Sequence, residues 1–301
     1  MRNVPSPSGM TTSRAGHPLY RVRHELQALP APIVVFNKSH SGSRLLARIL
    51  AHGGVFLGSH QNESCDTLDL VELVRHVVQR YYPDYPRLWG GEGADDAVLP
   101  DLIRAVFRRH LETCDAAAER SWGWKLCETA YILPLIDFLF PTAKYIHLIR
   151  DGRDVAFCDH VAPSDPFWKK IYFNTDHIAS WRGYRLTGED YLKRSYIYNT
   201  VHWVNSVNVG RSYGAMLRER YLEVRYEALC RDFARTVERV LGFIGVPSAA
   251  ATIEALRPEV HSNSIAKYRR ASRWKMRRIL DIAKPELLAL GYLASEADGL
   301  G

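Results

Sequence analysis

With 301 residues, 47% of them apolar, and no run near the roughly 18 consecutive apolar positions of a membrane span, the chain excludes both a disordered polymer and a helical membrane protein. Forty Lys and Arg against 33 Asp and Glu leave a net charge of +7, which suits an anionic ligand, a nucleic acid or a plain solvated surface. Cys65, Cys114, Cys127, Cys158 and Cys230 form no CxxC pair, so a disulfide framework and structural zinc are not expected, and a reduced, cytoplasmic setting is.

Residues 1–18 are rich in Ser, Pro, Gly and Thr, without a period or the apolar core of a signal peptide; they read as a flexible leader to one domain at 19–301. The apolar run Pro32–Phe36 predicts a strand. It ends in a cluster of small polar residues, after which Leu45, Leu46, Ile49 and Leu50 recur at helical spacing. "WGWKLCET" at 122–129 predicts a buried strand, followed by a helix from Ala130 to Phe140 that Pro141 stops. Lys144–Ile149 predicts another strand, running into Arg150-Asp151-Gly152-Arg153-Asp154. Helices at 175–184 and 197–218, a strand at Tyr221–Tyr226 and a helix at Asp232–Ile244 follow. The aromatic, Pro- and Gly-rich stretches 81–101 and 159–175 read as loops that shape an acceptor pocket. Alternating strands and helices predict an α/β fold, a single domain with a mostly parallel sheet flanked by helices. Ligands bind such sheets at the carboxyl ends of the strands, where the loops after residues 36 and 149 would both lie.

A tight turn between a strand and a helix start presents several N–H groups and the positive end of the helix dipole to one point, which suits phosphate or sulfate. The nucleotide-hydrolysing pattern GxxxxGK[ST] is absent: Gly42 is followed by Ser43 and Arg44, and the pair Gly53 and Gly58 by Ser59. There is no GxGxxG either. A kinase-like phosphotransferase and a dinucleotide enzyme therefore each lose their central residue. A basic nucleic-acid-binding protein would account for "KYRRASRWKMRR", but not for a glycine loop and Arg150 both falling at strand ends.

"NKSHSGSRLL" at 37–46 resembles the 5′-phosphosulfate loop of the sulfotransferases that use 3′-phosphoadenosine 5′-phosphosulfate (PAPS), and "FPTAKYIHLIRDGRDVAFC" at 140–158 resembles their 3′-phosphate segment. "YLEVRYEALCRDFARTVERVLGFIGVP" at 221–247 is similar to the family's late strand and helix. "SIAKYRRASRWK" at 264–275 is similar to the C-terminal basic segment of bacterial and glycan-type members. The resemblance implies a P-loop-like sulfotransferase fold and an enzyme that needs no metal. It would move a sulfuryl group from PAPS to a hydroxyl or amine of a carbohydrate, a lipid-linked glycan or a secondary metabolite, releasing adenosine 3′,5′-bisphosphate. The implied partners are a small-molecule or glycan acceptor, with no nucleic acid and no stable membrane insertion.

By the same resemblance, Lys38, His40, Ser41, Gly42, Ser43 and Arg44 cradle the phosphosulfate, and Arg150 and Cys158 serve the 3′-phosphate. Tyr226 lies near the adenine, and Lys267 and Arg269 add donor contacts. Two positions depart from the family. His40 stands where members carry a Lys or Arg; beside a dianion it would take up a proton and act as the cation, with Lys38 as the alternative. Cys158 replaces a Ser, and a thiol is the weaker donor, so the 3′-phosphate pocket leans on Arg150. The family's base is a His or Glu in the region matching "GVFLGSHQNESCD", where His60, Glu63 and Asp66 are candidates and Glu63 is favoured. Lys125 and Glu128 are expected on the acceptor side.

Overall fold

Strand β1 (Ile33–Asn37) is buried at all five positions, which a strand achieves only with neighbours on both edges and helices on both faces. The computed structural model describes residues 18–82, 96–114, 121–158 and 195–294 and supplies both. β1 pairs with β2 (Gly123–Lys125) and β3 (Lys144–Ile149), and β3 pairs with β4 (Tyr221–Arg225), so the order is β2-β1-β3-β4 with every pair parallel. The expected leader, apart from Pro18, and the expected helix at 175–184 lie outside the described residues, as do the stretch 159–175 and most of 81–101.

Side-chain alternation along β1 feeds two cores. Val34 and Phe36 join α1 (Pro18–Leu26), α3 (Val71–Tyr81), α4 (Val98–Leu111) and α5 (Leu133–Leu139) on one face. Ile33 and Val35 pack on the other face against α2 (Ser43–His52) and α9 (Phe233–Ile244). Leu46, Ile49 and Leu50 fix α2 there, each buried side chain worth about 1.5–3 kcal/mol. A third cluster joins α6 (Gly152–Ala156) and α7 (Ser195–Leu217) to the C-terminal α11 (Arg273–Ala289). The register sets Val35 opposite Lys125 and Ile146, and Ile149 opposite Arg225. The chain therefore leaves all four strands on one edge of the sheet, and the loops expected to carry chemistry meet there.

Two element boundaries differ from the sequence-based expectation. β2 is only three residues long, and 3₁₀ turns over Cys127–Ile132 delay the next helix to Leu133, because Pro134 has no N–H and is accommodated in a first helical turn. The last strand ends at Arg225, and the short α8 (Tyr226–Arg231) precedes α9.

His147 lies inside the sheet, stacked on Phe36 at 4.6 Å between ring centres, with Nδ1 2.7 Å from the Tyr221 hydroxyl. Helix α7 passes over it at Gly210, where a Cβ would come within 2.5 Å of the imidazole. Burial pushes the His147 pKa down to about 3, and Arg211 and Arg225 push the same way. The folded chain keeps this imidazole neutral, whereas the unfolded chain protonates it near the ordinary value of 6.5. Stability tied to His147 is thus complete above pH 6.5 and declines as the pH falls toward 3. Between pH 7 and pH 5 urea unfolding should show a loss of about 2 kcal/mol from this residue. His147→Gln should flatten that slope by about one proton; equal slopes in the two proteins would mean that His147 is charged in the fold.

Candidate functional site

At the end of β1 the Asn37 side chain donates to the Lys38 carbonyl at 2.6 Å, and the chain turns through His40, which takes the left-handed conformation at φ 65°. Gly42, at φ 86°, then starts α2. A Cβ on Gly42 would fall 2.3 Å from Tyr226 Cε2, so the glycine is required both by its backbone and by the ring packed on it. The Arg150 guanidinium stacks over that same ring at 4.7 Å. Arg150 donates from Nη1 to the His40 carbonyl at 3.1 Å and from Nη2 to the Ser264 carbonyl. Its Nε is buried without a partner, and so is the Ser41 hydroxyl. Two orphaned polar atoms beside a helix start cost free energy unless something else satisfies them, and both are donors suited to an anion.

These groups border a cavity of about 930 Å³ at the strand ends. His40, Gly42, Ser43 and Arg44 line one side, Arg150, Tyr226 and Ser264 another, and Asp66, Lys125, Cys127 and Glu128 a third. Lys125 is almost wholly buried, with Nζ donating to Asp66 Oδ1 at 2.7 Å and to the Ser64 carbonyl at 2.9 Å. Burial is the main cause pushing the Tyr226 phenol up to about 12, so it stays protonated. A second hollow of about 750 Å³, between α9 and the segment 247–257, lies away from the strand ends. Among the described residues no group of His, Cys, Asp and Glu is placed to hold a metal ion, and no helix is long and apolar enough to cross a membrane.

The site residues expected from the sequence divide into two sets. His40, Gly42, Ser43, Arg44, Arg150 and Tyr226 line the cavity, with Ser41 buried in the loop that borders it. Lys38 does not reach it. Its Nζ is turned beneath the loop to Ser39 Oγ at 3.2 Å and Asn199 Oδ1 at 3.3 Å, and burial pushes its pKa down. Of the two alternatives for the loop's cation, His40 lines the cavity and Lys38 does not. Cys158 is half-buried and absent from the lining; its carbonyl accepts from Asn199 Nδ2 at 3.2 Å. Lys267 and Arg269 stand exposed on a 3₁₀ turn outside the lining.

The favoured base, Glu63, also misses the cavity. Asn62 Oδ1 accepts from the backbone N–H of Ser64 and of Asp66, both at 2.9 Å, and this side-chain turn brings Ser64 and Asp66 to the cavity while leaving Glu63 exposed. His60 is occupied at a different place, its Nδ1 3.2 Å from the buried Asp69 carboxylate. Of the three base candidates only Asp66 lines the cavity, while Glu128 does so as expected. Arg48 and Glu259, paired with each other at the rim, were not expected. Arg48 follows Arg44 by one helical turn, a spacing visible in the sequence; Glu259 arrives from a distant segment and left no such signal.

The fold is an α/β domain with a parallel sheet whose first strand runs through a glycine turn into α2, and comparison with known proteins specifies its family. The model of the sulfotransferase family matches residues 32–250, so the chain belongs to that family. No curated protein matches. Among solved structures, the sulfotransferase domain from the curacin biosynthetic pathway is 20% identical, over 73% of this chain and 75% of that one, with a TM-score of 0.44. The sulfotransferase domain from the Synechococcus PCC 7002 olefin synthase is 18% identical over 88% and 96% of the two chains, with a TM-score of 0.48. Sulfotransferase STF9 from Mycobacterium avium is 13% identical over 91% and 83%, with a TM-score of 0.49.

Gly42→Ala should cost about 1–3 kcal/mol by chemical denaturation, since it adds a clash with Tyr226 to the cost of the left-handed backbone. Gly54→Ala is the control: at φ 87° with nothing within 4 Å of a Cβ, it bears the backbone cost alone and should lose less. Equal losses would show that the Tyr226 ring yields freely.

Proposed function

We propose that this protein transfers a sulfuryl group from PAPS to a hydroxyl or amine of a small molecule or glycan. The observation that carries the proposal is the joining of the 38–44 turn to Arg150 over the Tyr226 ring, with two unsatisfied donors, Ser41 Oγ and Arg150 Nε, beside the start of α2. The donor's three anionic groups need separated pockets. The N–H groups of the turn and the dipole of α2 suit the 5′-phosphosulfate; Arg150 suits the 3′-phosphate, and Tyr226 the adenine.

Sulfuryl transfer resembles phosphoryl transfer, with attacking and leaving oxygens in line and catalysis resting on position and charge. Glu128 is the proposed base: it is a half-buried carboxylate on the cavity wall, at the junction that follows β2. Glu128 takes the acceptor's proton as the new O–S or N–S bond forms. As the old S–O bond breaks, the turn's N–H groups take up the charge on the departing phosphate, joined by His40 once it is protonated.

Adenosine 3′,5′-bisphosphate should raise the melting temperature at millimolar concentration. If ATP or an oligonucleotide does so and the bisphosphate does not, the proposal fails. Arg150→Ala should weaken bisphosphate binding by about 1.5–3 kcal/mol, roughly ten- to a hundredfold. Glu128→Gln should spare that binding and lower turnover about 10²- to 10⁴-fold, while Glu63→Gln leaves turnover near wild type. Normal turnover by Glu128→Gln would shift the role of base to Asp66. An acceptor screen by mass spectrometry, seeking a gain of about 80 Da, the mass of a sulfuryl group, supplies the substrate for these assays.

A further inference from the structure

Residues 261–270 form a strap between the cavity rim and the cationic turn Lys267–Arg270, and little apolar packing holds it. Its Ile265 reaches the core only partly, and most of its remaining side chains are exposed. Backbone anchors hold it instead. The Tyr226 hydroxyl donates to the His261 carbonyl at 3.5 Å, and Arg150 Nη2 donates to the Ser264 carbonyl. The Asp154 carboxylate accepts from Ala266 N–H at 2.7 Å and from Tyr268 N–H at 3.1 Å. Arg153 lies over the Tyr268 ring at 4.1 Å. Among the described residues Ala266 is one of four non-glycine residues with positive φ, at 61°, so the backbone is bent into a conformation that residue does not favour at the point where Asp154 grips it.

The anchors differ in what a ligand would do to them. Arg150 gives one N–H of each terminal nitrogen to the carbonyls of His40 and Ser264, and an anion drawn to its remaining N–H groups can displace the Ser264 carbonyl. Were Ser264 the strap's main tie, donor binding would release the segment that carries Lys267 and Arg269. Asp154 is only 2% exposed and does not line the cavity. It stands one helical turn beyond Arg150, with Oδ2 3.9 Å from Nη2. Without lining the cavity, it joins the strap to the helix that follows Arg150.

Resting on the proposed function, we infer that Asp154 is a positioning residue: it fixes the strap 261–270 beside the 3′-phosphate subsite, leaving Arg150 free to exchange the Ser264 carbonyl for phosphate. The consequence is selective. Asp154 should matter for ligands with a 3′-phosphate and not for those without one, a distinction that a residue needed only for general stability would not produce.

The test uses the full chain, wild type and Asp154→Asn, with adenosine 3′,5′-bisphosphate and adenosine 5′-phosphate as probes. An asparagine keeps the size of the side chain but presents one acceptor oxygen in place of two. Calorimetry should give a bisphosphate Kd raised about tenfold or more in Asp154→Asn, with the 5′-phosphate Kd changed by less than about twofold. Equal losses for both probes, or none for either, would overturn the inference while leaving the donor assignment intact. Wild-type protein that binds neither probe at millimolar concentration would overturn the donor assignment, and with it the role given to Asp154. Hydrogen exchange in the wild type decides the matter even if the variant does not fold. The Ala266 and Tyr268 amides should exchange at least about tenfold more slowly than their intrinsic rates, both without ligand and with the bisphosphate. Unprotected amides at these two positions in the ligand-free chain would show that the anchor does not exist.

Discussion

The contact on which the rest of the site depends is the Arg150 guanidinium over Tyr226, reaching the carbonyls of His40 and Ser264. His40 and Ser264 lie 110 and 114 residues from Arg150 in sequence, so the contact joins three separate segments of the chain. A flat, forked cation is well suited to join them, since it stacks on a ring with its face while donating in its own plane. Gly42 completes the arrangement by letting the ring approach the turn. Without a parallel sheet that ends its four strands on one edge, none of these loops would meet.

Electrostatics at the site is arranged by depth. The most buried lysine nitrogens are satisfied locally. Lys38 leans on Asn199 beneath the turn, and Lys125 on Asp66 and the Ser64 carbonyl at the far wall. Arg150 differs, buried yet with one nitrogen unpaired. Buried cations that donate to carbonyls stiffen loops without drawing in counter-ions. The cavity thus combines a rigid backbone frame with a small number of groups left to respond to what enters.

Much of this was legible in the sequence, and the exceptions have physical causes. Apolar runs bounded by turn residues located β1 and β3, which are buried on both faces, and the alternation of Leu222 and Val224 with polar residues located β4. Gly42 and Arg150 were legible because a helix start and a strand end impose particular residue types. The placement of Lys38 was not, since a lysine near a strand end can point to either face and only the packing of Asn199 from α7 decides which. The position of Glu63 was hidden for a related reason: Asn62 builds a side-chain turn over 62–66 that leaves Glu63 exposed and outside the cavity lining. Asp154 was hidden because its partners are backbone N–H groups, which every residue but proline carries.

His40 gives the site a property that a lysine would not. With Lys38 turned away and His40 at φ 65°, the turn after β1 carries no permanent cation of its own facing the cavity between its strand and Gly42. The fixed charges lie to either side of it, on Arg44 and Arg150. Under the proposed function, selection rests on spacing: a ligand must span from the start of α2 to Arg150. The mouth of the site thereby behaves as a ruler more than as a magnet.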